Sequence, residues 1–150
     1  MDLTEQHKHD ERFMRMALDE ARKAFDRDEV PIGAVITAGN QVIARGHNIT
    51  ETLTDVTAHA EMQAITSAAD YLGGKYLTEC TLYVTVEPCL MCAGALGWSQ
   101  IKRIVYGASD DKRGYHTFCD SPFHKNTEIS GGLLADECAE LMTSFFKNKR

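Results

Sequence analysis

Two short motifs contain residue types that can bind a metal ion and move a proton. The first is His59-Ala60-Glu61, and the second is Pro88-Cys89-Leu90-Met91-Cys92. Zinc is bound in proteins by neutral imidazole nitrogen and by thiolate sulfur, so His59, Cys89 and Cys92 form a predicted ligand set. Two cysteines separated by two residues at a helix start can turn both sulfurs towards one ion. The helix N-terminus also favours the thiolate that a metal needs.

The number of ligands predicts the kind of zinc site. A structural site is closed by four protein ligands, whereas a catalytic site keeps three together with a water molecule. Glu61 lies two residues after His59 and can accept a proton from that water without binding the metal. We therefore expect one catalytic Zn²⁺ per subunit, with Glu61 as the catalytic acid–base. Conceivable fourth ligands exist, but none belongs to a motif: His47, Cys80, His116 and Cys119.

Each motif is weak by itself, and other functions stay open at this point. A Cys-x-x-Cys pair is also typical of redox sites and structural metal sites. His-x-Glu occurs by chance, and a solvated helix start explains it equally well. The alternative from another class is a zinc-stabilised binding module without catalysis. Glu61 argues against that module, since a structural zinc site does not need a neighbouring carboxylate that does not bind the metal.

Composition limits the class of protein. The 150 residues fit one domain, residues 1–150, and the 43% of hydrophobic residues is ordinary for a globular protein. No stretch approaches the roughly 18 apolar residues of a membrane span, and the first residues lack a signal-peptide core. We therefore expect a cytoplasmic protein without a membrane partner. A net charge of −6 argues against a protein that coats nucleic acid non-specifically.

The order of predicted elements defines a fold class that places both motifs at helix starts. Strands that alternate with helices, after an opening hairpin, predict an α/β fold: a three-layer α/β/α sandwich with a mixed five-stranded sheet. Thr57 is the predicted N-cap of the second helix, and a long loop is expected between Gly107 and Asn126. The predicted helices are 10–27, 59–71, 89–98 and 135–146. The predicted strands are 33–37, 41–46, 80–86, 101–106 and 128–129.

The two motifs together match the H-x-E…P-C-x-x-C signature of zinc-dependent nucleobase deaminases. Beyond them, residues 13–146 resemble the bacterial tRNA-specific adenosine deaminases. The resemblance implies a cytidine-deaminase-like fold, a homodimer, and hydrolysis of the wobble adenosine of a tRNA anticodon to inosine. The segments that carry it are 30–35, Gly46-His47-Asn48, 57–61, 82–95, 105–108, Asp110 and 132–138.

The resemblance also implies roles for single residues. The three predicted ligands and Glu61 would keep the roles given above. Asn48 would form a hydrogen bond with the target nucleoside, and the backbone N–H of Ala60 would read the base. Asp110 would contact the nucleotide near the target ribose. The partner would be a tRNA anticodon stem-loop, whose unpaired base costs less to extrude than a base within a duplex.

One segment departs from the family pattern. Residues 111–127 form a shorter stretch than the family has, without its Gly-Ser-Leu sequence and paired histidines, so RNA contacts cannot be transferred to it. Its basic and aromatic side chains are either RNA contacts or parts of an ordinary solvated loop. The acidic net charge leaves a further alternative, a small-molecule deaminase acting on guanine, cytosine or free nucleosides. The side chains in question are Lys112, Arg113, Tyr115, Phe118, Phe123, His124 and Lys125.

Overall fold

A mixed sheet of five strands, in the order β2-β1-β3-β4-β5, is the frame of the computed structural model, which describes residues 2–149. β1 runs antiparallel to both β2 and β3, whereas β3, β4 and β5 are parallel. The strands are β1 Gly33–Ala38, β2 Gln41–His47, β3 Cys80–Val86, β4 Arg103–Ala108 and β5 Glu128–Gly131. The helices are α1 Leu3–Asp26, α2 Thr50–Leu53, α3 Ala60–Leu72, α4 Leu90–Ser99 and α5 Ala135–Lys147.

Helices cover both faces of the sheet, which confirms the predicted three layers. One core lies between the sheet and helices α3 and α4, where small residues such as Ala64 and Ala68 let the α3 backbone come close. The other core lies between the sheet and helices α1 and α5, with Phe13 and Leu18 from α1 and Cys138 from α5. Among residues 2–149, none of the helices has the length and apolar character that crossing a bilayer requires.

Two glycines allow helices to rest directly on strand backbone. A β-carbon at Gly33 would lie 2.0 Å from the carbonyl oxygen of Ala17 in α1. A β-carbon at Gly46 would lie 2.5 Å from the carbonyl oxygen of Ala60, the first residue of α3. Neither contact leaves space for a side chain, so α1 and α3 sit closer to the sheet than larger residues would permit.

A buried polar cluster joins α1 to the middle of the sheet. The Asp10 carboxylate accepts hydrogen bonds from the Tyr83 hydroxyl at 2.6 Å and from Arg103 at 2.6 and 2.7 Å. Gln6 donates a further bond at 2.9 Å. Burial alone would raise the pKa of Asp10, but the hydrogen bonds from Arg103, Tyr83 and Gln6 lower it below its ordinary value.

Several predicted boundaries differ from the structure. Helix α1 begins at Leu3, not at residue 10, because the Asp2 side chain accepts the Glu5 N–H at 2.8 Å and caps the first turn. β4 begins two residues later than predicted, at Arg103. The N-cap prediction for Thr57 is wrong: its N–H and hydroxyl both donate to Asp55, and α3 begins only after His59.

Short helical turns also interrupt the two stretches predicted as loops. Helix α2 lies within the polar stretch between β2 and α3. A 3₁₀ turn, Tyr115–Thr117, lies within the loop after β4. Both turns are too short to give a helical pattern of apolar residues, which explains why periodicity does not predict them.

Candidate active site

The sheet brings two helix starts together. β2 and β3 both run antiparallel to β1, so their carboxyl ends lie at the same edge of the sheet. α3 follows β2 after the α2 turn, and α4 follows β3 directly. His59 and Cys89 are the N-cap residues of these two helices, and both have extended backbones. The predicted ligands therefore meet, because His59 and Cys89 cap helices at the same edge and Cys92 lies in the first turn of α4.

The ligand atoms have distances that suit zinc. The Nδ1 atom of His59 lies 3.6 Å from the Cys89 sulfur and 3.5 Å from the Cys92 sulfur. A tetrahedral zinc ion with ordinary Zn–N and Zn–S bond lengths would separate nitrogen from sulfur by about 3.6 Å. All three ligand atoms lie within 4.8 Å of one another. The side chains present thus fit one zinc ion.

Within residues 2–149, no fourth histidine, cysteine or carboxylate joins this group. The conceivable fourth ligands lie elsewhere: His47 contacts Glu20 at 3.3 Å, and His116 contacts Glu87 at 2.5 Å. A group of three protein ligands is the arrangement of a catalytic zinc site.

The Cys89 thiolate places negative charge at the site. Hydrogen bonds from the Cys92 thiol and from His59 outweigh burial and together lower the pKa of Cys89 to about 4. The same bond to the Cys89 thiolate raises the pKa of Cys92 far above its ordinary value. The Cys89 thiolate also raises the pKa of His59. A thiolate beside an imidazole is the donor set that a zinc ion prefers.

Glu61 lies in the first turn of α3, is only 3% exposed, and is not part of the ligand group. Burial raises its pKa to about 7, and the charge of Cys89 contributes to the increase. A carboxyl group whose pKa lies near neutrality can both accept and donate a proton, as a general acid–base must. The site thus combines three ligands with a separate buried carboxyl group.

Asn48 and Ala60, two of the predicted substrate contacts, form a hydrogen bond with each other. The Asn48 Oδ1 atom accepts the Ala60 N–H at 2.7 Å, and the Asn48 side chain is almost fully buried. The Asn48 amide nitrogen remains as a donor. The Ala60 N–H can read a base only if Asn48 rotates away from it.

Glu29, which is absent from the predicted site residues, holds the turn that follows Asn48. Its carboxylate is 1% exposed and accepts the Thr52 N–H and hydroxyl, each at 2.7 Å, and the Glu51 N–H at 3.0 Å. These bonds fix α2 beside the site. Glu29 precedes Val30-Pro31 with no spacing that indicates a partner, so sequence gave no signal for this role.

Glu87, also absent from the predicted residues, connects the loop after β4 to the turn that carries Cys89. Its buried carboxylate accepts the Asp110 N–H at 3.1 Å and both the backbone N–H and the Nδ1 of His116. Asp110 therefore lies beside the ligand turn, and its own Oδ1 accepts the N–H groups of Lys112 and Arg113. One signal was available: a glutamate at the end of a buried strand needs hydrogen-bond donors.

The aromatic side chains of this loop divide into two kinds. Tyr115 is buried and packs edge-on against Phe123 with ring centroids 4.9 Å apart, so these two rings anchor the loop to the core. Phe118 is 58% exposed and can still stack on a base. Trp98 on α4 is 86% exposed, so it is not a core residue.

Comparison with known families agrees with this geometry. Residues 7–108 match the family model of the cytidine and deoxycytidylate deaminase zinc-binding region. This match spans more than half of the chain, and the chain belongs to this family. It is therefore a zinc-dependent deaminase, an enzyme that hydrolyses an amino group from its substrate.

Similar proteins include tRNA-specific adenosine deaminases and guanine deaminases. A tRNA-specific adenosine deaminase from Agrobacterium fabrum is 46% identical, over 92% of this chain and 94% of that protein. A solved structure from work on A-to-I editing by tRNA:A34 deaminases is also 46% identical, covering 87% of this chain and 98% of that one, with a TM-score of 0.81. A guanine deaminase from Nitrosomonas europaea is 25% identical over 90% of this chain and 83% of that chain, with a TM-score of 0.77.

Proposed function

We propose that this enzyme hydrolyses adenosine to inosine at the wobble position of a tRNA anticodon. The observation that carries the proposal is the three-ligand site with a separate Glu61, in a chain 46% identical over nearly its whole length to a tRNA-specific adenosine deaminase. The site supports hydrolytic deamination as the reaction, and the extent of the similarity supports tRNA as the substrate. We propose that residues 1–150 act as one domain and, because the substrate is tRNA, in the cytoplasm.

The mechanism follows from the positions of the side chains. His59, Cys89 and Cys92 would hold zinc, which when bound makes a water molecule acidic enough to act as a nucleophile near neutral pH. Glu61 accepts the proton of the attacking water and delivers it to N1 of the adenine. As the bond between C6 and the amino nitrogen breaks, Glu61 takes the remaining proton of the hydroxyl group added at C6 and transfers it to the departing amino group. Adenosine and water thus become inosine and ammonia.

Substrate binding is proposed for three groups around this centre. The Asn48 side chain would form a hydrogen bond with the nucleoside. The Ala60 N–H would read the base once Asn48 exchanges its bond with that N–H for one with the substrate. Asp110, held beside the Cys89 turn through Glu87, would contact the nucleotide near the target ribose.

We also propose that the enzyme is a homodimer through the exposed face of α4. This face carries Trp98, Leu90 and Met91, all well exposed, and Gly94 has open space around it. An apolar patch of this kind on a helix is typical of a protein interface. Sedimentation of the wild-type enzyme should give twice the chain mass of 16.7 kDa, and Trp98→Glu should shift it to the monomer. A wild-type monomer at micromolar concentration would contradict the dimer.

The second candidate function is deamination of a free nucleobase such as guanine. Two observations favour it: the net charge of −6 and the similarity to the guanine deaminase. The tRNA substrate is preferred because the similarity to the tRNA enzyme, 46% over 92% of this chain, is higher and extends further than the 40% over 66% of this chain found for a guanine deaminase from Bacillus subtilis.

A panel of substrates tests the proposed function. The wild-type enzyme is incubated with an anticodon stem-loop carrying a wobble adenosine, and separately with adenosine, guanine and cytosine. We expect inosine in the stem-loop and no turnover of the free compounds. The same stem-loop with guanosine at the wobble position is the control. Affinity for the stem-loop should fall steeply as salt rises, because phosphate contacts release counterions. Turnover of a free base or nucleoside alone would contradict the tRNA assignment.

A further inference from the structure

One buried carboxylate, that of Glu87, binds both ends of the segment 110–117. The Glu87 side chain has no solvent exposure, and it accepts three hydrogen bonds, all from this segment. Oε1 accepts the Asp110 N–H at 3.1 Å. Oε2 accepts the His116 N–H at 3.1 Å and the His116 Nδ1–H at 2.5 Å. Both ends of the segment therefore converge on one side chain.

The fit around this carboxylate is close. A β-carbon at Gly114 would lie 2.4 Å from Glu87 Oε2 and 2.4 Å from the Asp110 carbonyl oxygen. Within residues 2–149, no lysine or arginine forms an ion pair with Glu87. The carboxylate thus depends on the 110–117 segment to offset its desolvation, and on His116 for the one side-chain donor.

The same segment also contacts the turn that carries a zinc ligand. The Tyr115 N–H donates to the Pro88 carbonyl oxygen at 2.9 Å, and Gly114 pairs with Cys89 as an isolated β-bridge. The segment is consequently held against the ligand turn at two points of backbone and at Glu87. Its position relative to the reacting base depends on these contacts.

We infer that His116 is a positioning residue: through its bond to Glu87 it holds the 110–117 segment in the place where that segment contacts the RNA around the target base. The segment contains Asp110, and the Asp110 carboxylate in turn fixes the backbone of Lys112 and Arg113. Movement of the segment therefore displaces an acidic and two basic side chains together. The inference rests on the proposed tRNA substrate and adds a residue that controls how the RNA is bound.

His116 acts through Glu87 and not on the reacting atoms, so its loss should weaken binding more than chemistry. His116→Ala removes the Nδ1 donor and leaves Oε2 with the backbone N–H alone. His116→Asn retains a donor, because the asparagine Nδ2 occupies nearly the same place as the histidine Nδ1. Loss of one charge-assisted hydrogen bond corresponds to about a tenfold change in an equilibrium constant.

The experiment compares wild type, His116→Ala and His116→Asn, with His7→Ala as the matched control on the exposed start of α1. For each protein, KM and kcat are measured with the wobble-adenosine stem-loop, together with zinc content and amide hydrogen exchange of residues 110–117. In His116→Ala we expect KM to rise about tenfold, kcat to stay within twofold, zinc to be retained, and exchange in the segment to accelerate. His116→Asn should restore KM to within threefold of wild type, and His7→Ala should match wild type.

Three outcomes would overturn the inference. One is that His116→Ala has the KM of wild type and the same amide hydrogen exchange in residues 110–117 as wild type. Another is a loss of kcat or zinc with KM unchanged, which would place His116 in the catalytic centre. The third is a failure of His116→Asn to restore KM. Wild type that does not convert the stem-loop contradicts the proposed function, and in that case the RNA part of the inference fails with it. The exchange result still shows whether His116 holds the segment.

A pair of glycine variants checks the same contact without changing His116. Gly114→Ala places a methyl group against the Glu87 carboxylate, whereas Gly74→Ala adds one where there is open space. Gly114→Ala should raise KM and accelerate exchange in the segment, as His116→Ala does. Gly74→Ala should have neither effect. Equal behaviour of the two glycine variants would contradict the close fit at Glu87.

Discussion

Asp10 and Glu61 are both buried acids on helices that pack against the sheet, but on opposite faces of it. Asp10 receives hydrogen bonds from Arg103, Tyr83 and Gln6, and its pKa is lowered. Glu61 is in none of the ion pairs within residues 2–149, its side-chain hydrogen bond is with the Cys92 thiol, and burial raises its pKa to about 7. The pKa of a buried carboxyl group is thus shifted in opposite directions at the two positions.

The difference separates a stabilising carboxylate from a reactive one. A carboxylate with an arginine and a hydroxyl beside it stays ionised and links two elements, which stabilises the fold. A buried carboxyl group without an arginine or lysine partner exchanges protons near neutral pH, which suits catalysis and adds little to stability. Substitution at the two positions should therefore have opposite consequences.

Glu61→Gln is expected to have the largest effect on turnover. It keeps the size of the side chain but removes the group that carries the proton, so kcat should fall by about a thousandfold. The unfolding midpoint should not decrease, because no ion pair is broken, and zinc content should stay at about one per chain. Turnover of the stem-loop, metal analysis and a thermal melt measure these three quantities. Full turnover in this variant would show that another group moves the proton.

Asp10→Asn is expected to give the converse result. Removing the charge leaves Arg103 without its partner in a partly buried place, which should lower the free energy of unfolding by about 2 kcal/mol. kcat and KM should match wild type at temperatures where the variant is folded. Urea unfolding and stem-loop turnover provide the check. A loss of activity in the folded variant would mean that the two regions are coupled.

The effect of Asp10 should also depend on pH. Its pKa is lower in the folded protein than in the unfolded chain, so its contribution to stability is complete above the ordinary carboxyl value of about 4. The contribution is lost as the pH falls through the folded pKa. The difference in the free energy of unfolding between wild type and Asp10→Asn should therefore shrink below about pH 4.

The smallest effect is expected for Asp19→Asn, which breaks an exposed ion pair with Arg22. It should lower the free energy of unfolding by at most about 0.5 kcal/mol.

The sequence predicts the catalytic centre better than its surroundings, for a physical reason. A metal ion demands particular donor atoms at short spacing, so His59, Cys89 and Cys92 are recognisable without coordinates. Strand β3 was predicted with its observed bounds because a buried central strand is a continuous β-branched and aromatic run. The position of α3 was predicted to within one residue, but its cap was not, because Thr57 forms hydrogen bonds within its own turn instead.

Glu29 and Glu87 were not predicted because their partners are mostly backbone N–H groups. Backbone donors have no sequence identity, so no residue type marks the segments that these carboxylates hold. The side-chain donor of His116 lies 29 residues from Glu87, in a stretch that departs from the family pattern. The shape of the loop after β4 therefore becomes clear only from the structure, in which His116 lies next to Glu87.

The direct contact at Gly46 has a consequence for motion. The first residue of α3 rests on the backbone of β2 with no side chain between them. A side chain can change rotamer and absorb a displacement, whereas two backbones in contact move together. His59 and Glu61 should therefore follow the sheet as one rigid body on the timescale of loop fluctuations. Catalysis can then proceed at a fixed centre while the segments around it open for the proposed RNA substrate.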